Sequence, residues 1–440
     1  MLVVSISNLS DYSENLKNLK ATLLELRVDL MGREDLLILS QKKIFFNLPV
    51  LLTLKPQFTD FPLFELICQN IDPAYIDIDY SIFNFYEKLI RKKNPEIKLI
   101  VSKHTTHLFE IRSFYKKYPK ADLKKLVIFS EEPLLALKVA KKAQKENLIL
   151  FVSGENTSFS RFFSSWHYCY VSKPTGIGQF SLFHLFENYA ITFGVKKFYA
   201  LIGNPVSKSS SHITHNKLFK SKNYDFIYLK FLLKKESFSN SLNLLKRLNC
   251  HGLSITTPFK KTILENYNQS FGYTVANTLD VKSKKLINTD ILALEEALET
   301  TSSKSTILLI GDGCCATGFS HYLKKQGRFF DQWSRKQKIR LKEFYHIIIN
   351  ATSSAKPLEE LPKTDLLINL YGFEPYPWIE QKSLEMGTRV ITAKQFFYLQ
   401  AMYQFKFWFK DFIRISYEDF FSLVKVPERS VEFVQIKRCK

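Results

Sequence analysis

Eight short apolar runs of strand type recur through the first 190 residues: LVVSISN (2–8), TLLELRVD (22–29), VLLTLK (50–55), YIDIDY (75–80), KLIVSKH (98–104), KKLVIFS (124–130), LILFVSG (148–154) and WHYCYVS (166–172). The stretches between them are turns, or segments such as SFYKKY and EPLLALKVAKKAQ that have helical periodicity and good helix formers. Strands that alternate with helices in this way are buried on both faces by parallel pairing. Eight such repeats in one domain predict an α/β fold closed into a (β/α)8 TIM barrel. With residues 1–190 to build it, the barrel has lean loops.

A second pattern begins near residue 196. KKFYALIGN reads as a strand, followed by a helix, the strand DFIYLKF, a helix and the strand GLSITT. The helix DILALEEALE ends at a polar break, TTSSKS (300–305), and the strand TILLIGD opens a new βαβ unit. At 440 residues the chain also exceeds what one hydrophobic core usually fills. The reading is a barrel over 1–190, an α/β lobe over 196–300, a Rossmann-like nucleotide lobe over 301–410, and a strand-and-turn-like tail over 411–440.

Bulk properties narrow the function classes. A hydrophobic share of 45% with 24% charged residues is globular. No apolar run approaches the roughly 18 residues that span a bilayer. The N-terminus, MLVVSISNLSDYSENLK, lacks a basic region and a small-residue cleavage site, so it reads as a strand and helix in a cytoplasmic protein. The six cysteines (68, 169, 250, 314, 315 and 439) have no CxxC and no histidine at metal-ligand spacing, which fits reduced thiols and no metal. The formal charge of +21 attracts anions, but the lysines are spread along the chain and no nucleic-acid module accompanies them. A solvated basic surface is the reading, with small molecules rather than nucleic acid or membrane as partners. The oligomeric state is not legible.

Barrel enzymes carry their chemistry at the C-terminal ends of the strands. The second strand places Glu25, Arg27 and Asp29 on one face, away from Leu26 and Val28. The fifth ends in His104, Lys125 opens the sixth, Arg161 lies beyond the seventh and Gln179 beyond the eighth. A desolvated lysine can attack a ketone, a histidine can remove a proton alpha to the imine, and arginines can hold an anion. These segments, ELRVD, IVSKHTTH, ADLKKLVIFS and the pairs at 160–161 and 178–179, resemble those of type I 3-dehydroquinate dehydratases. The resemblance implies that Lys125 forms the imine and that His104 moves the proton from C2 and to the leaving hydroxyl. It implies Arg161 as the carboxylate clamp, with Glu25, Arg27 and Gln179 on hydroxyls. Lys55 stands where that family has arginine, which keeps the charge and loses the planar fork. The family's glutamate is not visible in PQFTDFP.

In the second half, IGNPVSKSSSHITHN (202–216), GLSITTPFKK, ANTL (276–279), INTD (287–290), NLYGFEP and LQAMYQFKFW (399–408) resemble, in order, motifs of shikimate dehydrogenases. The resemblance implies Lys260 and Asp290 as the catalytic pair, with Ser209, Ser211, Thr256, Asn277, Tyr371 and Gln400 on substrate. A hydride added to a ketone leaves an alkoxide that needs a proton, which a lysine held by a carboxylate can give. TILLIGDGCCATG is a strand running into a glycine loop, with Gly311, Gly313 and Ala316 at the fingerprint positions. WSRKQ follows the next strand, and Ser334, Arg335 and Lys336 resemble the segment that grips the 2′-phosphate of NADP. Asp331 lies close by, but the basic residues dominate, so NADP is the cofactor expected. Departures from the family are Lys208 for histidine, His212 for proline, Ser254 for asparagine, Cys314 for glycine and Asn369 for aspartate.

The order of the two halves implies one fused enzyme that converts 3-dehydroquinate to 3-dehydroshikimate and then to shikimate. Two other readings are a shikimate or quinate dehydrogenase carrying a silent barrel, and a basic nucleic-acid-binding protein on an old enzyme scaffold.

Overall fold

The computed structural model describes residues 1–16, 18–107, 110–189, 195, 197–207, 209–267, 272, 274–354, 356–370, 372 and 377–422. The chain divides into two compact units: Met1–Phe198 with Phe219–Asn249, and Tyr199–Leu218 with Cys250–Lys440. Residues 196–300 are therefore shared between them.

In the first unit, eight strands run parallel. They are β1 (Leu2–Ile6), β2 (Leu23–Leu26), β3 (Val50–Leu54), β4 (Tyr75–Asp79), β5 (Lys98–Thr105), β6 (Leu123–Phe129), β7 (Ile149–Ser153) and β8 (His167–Tyr170). Their order is β7–β6–β5–β4–β3–β2–β1–β8, with the two-residue β9 (Phe180–Ser181) beyond β8. One apolar cluster draws on every strand, through Val3, Leu23, Leu51, Tyr75, Ile100, Val127, Phe151 and Tyr168 among others. Strands at both ends of the order share this one interior, as they must when the sheet is curled into a barrel.

Among the described residues the barrel closes without a ladder between β7 and β8. A backbone bond from Ser165 N–H to the Leu148 carbonyl (3.0 Å) joins the segments ahead of the two strands, and the Phe151 and Tyr168 rings meet across the seam at 6.2 Å. Ser160 supplies what the ladder would have given. Its Oγ accepts from the Val152 N–H at 2.9 Å and donates to the Val152 carbonyl at 3.2 Å.

Helices follow β2 to β6, and Leu182–Tyr189 follows β9. After β1 and β7, where the repeat predicts helices, there are only 3-10 turns, at Leu9–Asp11, Glu14–Leu16 and Ser158–Phe163. These links are short and rich in Ser, Asn and Thr, whose side chains bond to nearby backbone and compete with helix. β10 (Phe198–Gly203) begins at the last residue of the first stretch. Residues 219–249 return to the first unit with β11 (Ile227–Leu232) and the helix Phe238–Arg247, which packs on Pro133–Glu146.

The second unit holds two sheets. In one, β10, β12 (Cys250–Ile255), β13 (Thr278–Asp280) and β14 (Lys285–Ile287) lie in that order, the last two pairings being antiparallel. The other is wholly parallel, with the order β16–β15–β17–β18–β19. Its strands are β15 (Ile307–Ile310), β16 (Phe330–Trp333), β17 (Phe344–Asn350), β18 (Lys363–Asn369) and β19 (Arg389–Ile391). The order reverses at β15, so a crevice opens beyond the ends of β15 and β17, where ligands bind in open α/β sheets. Residues 334–343 link β16 to β17 across β15 with no helix.

The tail departs from its strand-and-turn reading, because Tyr417–Ser422 is helical. Ser416 Oγ accepts from the Asp419 N–H (3.0 Å), and Glu418 and Asp419 occupy the first turn, which is a helix-start signature. Phe420 is buried against Phe397 and Tyr398. No described helix is long and apolar enough to cross a membrane.

Candidate functional sites

Inside the barrel, side chains on alternate positions form tiers. Above the apolar tier lies a buried polar one made of Ser5, Glu25, Thr53, Asp77, Ser102 and Lys125. Lys125 Nζ donates to Asp77 Oδ2 at 2.8 Å, lies 3.8 Å from Glu25 Oε1, and sits 4.0 Å over the Tyr168 ring. Glu25 in turn accepts from Ser5 Oγ and from Thr53 Oγ1 (2.7 Å). The lysine is thus buried, with carboxylates beside it. Burial opposes ionisation of Asp77, yet the ammonium groups of Lys125 and Lys55 and the hydrogen bond from Lys125 outweigh it and hold this carboxyl below its usual range.

Lys55 donates to Ser102 Oγ at 2.8 Å and lies 3.6 Å from Asp79. Burial, helped by Lys125 and Arg27, moves its pKa down. His104 is on the same face of β5 as Ser102, one step nearer the strand's C-terminal end, and stacks on Phe129 with centroids 5.8 Å apart. Protein around the ring and the neighbouring ammonium groups of Lys55 and Lys125 move its pKa down, and because the residue is exposed, water moderates the shift. It is a neutral base at physiological pH.

Arg27 forks onto Asp29 through Nε (2.8 Å) and Nη2 (2.7 Å). Arg161 is buried, lies over the Phe151 ring and donates to the Ile177 carbonyl (2.9 Å), while its Nε has no partner among the described residues. Burial lowers its pKa to about 9. A buried cation with an unmet donor is built to receive an anion. Gln179 accepts from Thr175 N–H and Oγ1, each at 2.9 Å, and reaches Ser5 Oγ at 3.4 Å. Gly178 brings it there: φ is +66°, and a Cβ would stand 2.2 Å from the Gly154 carbonyl oxygen.

The second unit holds a cavity of about 810 Å³. Ser209, Ser211, Thr256, Lys260, Asn277, Asp290 and Gln400 all line it. Lys260, in the first turn of Phe259–Tyr267, donates to Asp290 Oδ2 at 2.6 Å; Asp290 is in the first turn of Thr289–Leu298, whose cap is Asn288. Burial alone would drive this lysine toward the free amine, but Asp290 and the Cys315 sulfur reverse the balance and raise its pKa above the ordinary lysine range. It is an ammonium, able to donate a proton. Ser209 and Ser211 share a hydrogen bond of 2.9 Å. Asn277 Oδ1 is committed to Thr278 and Thr289, so its NH2 is what it can offer a ligand.

The same cavity reaches the glycine loop between β15 and the helix Cys314–Lys325. Gly311 has φ +127°, and a Cβ there would press on the Ala351 backbone at 3.1 Å. Gly313 caps the helix with open space where a side chain would project. A backbone so bared at a helix N-terminus suits a pyrophosphate. Ala316 is buried and does not line the cavity, consistent with a packing role.

Arg335 and Ser334 line the cavity; Lys336 does not, although its N–H joins that of Gln337 on Ser334 Oγ to fix the turn. Asp331, a carboxylate placed to favour an unphosphorylated ribose, is bound to Lys342 Nζ and Tyr345 Oη, both at 2.9 Å. The residues present fit a dinucleotide with a 2′-phosphate.

Several contributors escaped the sequence reading. Cys315 Sγ lies 3.1 Å from Lys260 Nζ, a contact that reading the cysteines only as reduced thiols did not anticipate. Gln404, one turn beyond Gln400, joins His215 (2.8 Å), Ser254 (3.0 Å) and Thr278 (2.8 Å). Lys356 lines the cavity beside Pro357. Asp77 and Tyr168 complete the barrel tier. Tyr371, expected at the substrate, and Lys208 lie outside the described residues, while Asn369 is buried in a network with Asn350 and Glu380.

Residues 1–194 match the family model for type I 3-dehydroquinase, and residues 201–271 match that for the shikimate dehydrogenase substrate binding domain. The chain is 26% identical over 388 residues to the shikimate biosynthesis protein AroDE of Chlamydia pneumoniae, covering 78% of this chain and 80% of that protein. It is 29% identical over 212 residues to a shikimate dehydrogenase (NADP(+)) of Bacillus cereus, covering 44% of this chain and 76% of that one. A solved structure of dehydroquinate dehydratase and shikimate dehydrogenase from S. pombe AroM is similar over 96% of this chain and 97% of that one, with 15% identity and a TM-score of 0.40.

Proposed function

We propose, for a chain that is a fusion of a type I 3-dehydroquinase domain and a shikimate dehydrogenase, two consecutive reactions carried by the two clusters just described. The barrel dehydrates 3-dehydroquinate, and the 810 Å³ cavity reduces the resulting 3-dehydroshikimate to shikimate. The observation that carries this reading is the convergence of Lys125 with two carboxylates in one unit, and of Lys260 with Asp290 in the other, with Lys125 and Lys260 on segments that match the two families.

In the barrel, Lys125 Nζ attacks the substrate ketone and forms an imine, which acidifies the neighbouring C–H. His104, neutral at physiological pH, takes that proton and returns it to the departing hydroxyl. Arg161 holds the substrate carboxylate, with Glu25, Arg27, Lys55 and Gln179 around its hydroxyls. A general base of this kind contributes about 10²- to 10⁴-fold.

In the second unit, NADPH supplies the hydride when bound. Gly311 and Gly313 would hold its pyrophosphate and Arg335 its 2′-phosphate, with Ser334 fixing the turn and Lys336 adding charge. Lys260 gives a proton to the oxygen of the reduced ketone, and Asp290 fixes the ammonium, which takes up a proton from solvent before the next turnover. Ser209 and Ser211 donate to the substrate carboxylate, while Thr256, Asn277, Tyr371 and Gln400 orient the ring. The free thiols suit a cytosolic enzyme.

The test is a coupled assay in which purified protein receives 3-dehydroquinate and NADPH and nicotinamide absorbance is followed. Consumption of NADPH with shikimate, and not quinate, as the product requires both activities. Reduction of 3-dehydroshikimate without use of 3-dehydroquinate would leave the barrel reading without support. Lys125→Ala is expected to remove only the first step and Lys260→Ala only the second.

A further inference from the structure

We infer that Tyr168 is a positioning residue for the barrel lysine, and that its ring face carries the positive charge of Lys125 through the covalent stages of the reaction. The inference rests on the dehydratase reading above and deepens it.

Three observations converge. Lys125 Nζ lies 4.0 Å from the centroid of the Tyr168 ring, within contact range of its π face. Tyr168 is only 4% exposed, so water does not screen the interaction. Its hydroxyl is buried with no hydrogen-bond partner among the described residues. A buried, unmet hydroxyl is a cost, which directs attention to the ring as the part that serves the site.

The chemistry of imine formation makes a ring face useful. An ammonium carries three N–H bonds and can point them at Asp77, at Glu25 and at substrate. When Nζ bonds to the ketone carbon, the ketone oxygen leaves as water with two of the nitrogen's protons. The iminium keeps the full positive charge but only one N–H. Asp77, at 2.8 Å, can retain that single hydrogen bond, while Glu25, at 3.8 Å, is left with distance-dependent attraction alone. A π face needs no N–H, so its attraction to the cation survives the change. The flanking rings of Trp166 (6.4 Å) and Phe151 (6.2 Å) hold Tyr168 in this plane.

The test replaces Tyr168 in the full chain by Phe and then by phenylalanines carrying one, two and three ring fluorines, which drain the π face at nearly constant volume. Two quantities are read: kcat for dehydration of 3-dehydroquinate, and the fraction of protein trapped as a borohydride-reduced adduct by mass spectrometry. Both are expected to fall stepwise with fluorination while KM stays within about threefold, and Tyr168→Leu is expected to lie about tenfold or more below Tyr168→Phe in kcat. A flat series, or equal kcat for the Phe and Leu variants, would overturn the inference. If the unaltered protein yields neither 3-dehydroshikimate nor an adduct, the dehydratase reading itself falls and takes the inference with it.

Discussion

At the scale of single residues, the two lysines show how neighbours decide a side chain's chemistry. Lys260 and Lys125 are both buried and both meet a carboxylate within 2.8 Å. Their partners differ: a thiol in one case, a ring face in the other. The lysines and His104 were legible because they interrupt apolar strands or follow a recognisable motif. Asp77 was overlooked although YIDIDY alternates plainly, since alternation alone does not say which face of a strand is inside. Cys315 and Gln404 could not be read at all, because only tertiary folding brings them to their partners. His215, fully buried and bonded to Gln404, has its pKa lowered by burial to about 4. As pH falls below about 6.5 the unfolded chain takes up a proton there that the native state refuses, so stability drops until pH passes the folded value. His215→Gln should remove one proton from that dependence, flattening it by up to about 1.4 kcal/mol per pH unit between pH 6.5 and 4. Urea-unfolding midpoints across this range measure it, and an unchanged slope would count against the assignment.

At the scale of elements, loops decide more than helices do. Gly178 reverses the chain so that Gln179 enters the barrel mouth, and Gly178→Ala meets both a positive φ and the Gly154 carbonyl. A loss of about 2 kcal/mol or more in stability is expected, with KM for 3-dehydroquinate rising because Gln179 moves. Thermal melting read beside kinetics separates the two effects. The link 334–343 is the other telling element. A crossover between parallel strands usually takes a dozen residues or more and a helix, but here the span carries Arg335, Lys336, Lys338, Arg340 and Lys342 with no helix. Arg335→Glu is expected to raise KM for NADPH at least tenfold, to raise that for NADH far less, and to leave kcat nearly unchanged. The βαβ signal for this lobe was readable from TILLIGDG, but the missing helix was not, since a basic tract reads equally as a solvated helix face. The tail helix was likewise missed, although Ser416 and Asp419 spell its start.

At the scale of the whole molecule, the count of eight strands was the most durable inference, because buried parallel strands need long apolar runs that a sequence displays openly. The seam was invisible, because pairing is a property of two segments and not of either. β7 has a ladder on one side only, whereas β3 and β4 are paired on both. Peptides covering Ile149–Ser153 should therefore take up deuterium faster than those covering Val50–Leu54 or Tyr75–Asp79, and Ser160→Ala should hasten this further by freeing the Val152 amide. Equal uptake would mean that the ring is uniformly tight. Mechanically, the barrel is a hoop held at its seam by a few contacts, and one of them, Ser160, which satisfies the free edge of β7, is the residue immediately before Arg161. Fastening the hoop and aiming the guanidinium are one movement of the backbone, so a strain that springs this contact would also release the grip on the anion.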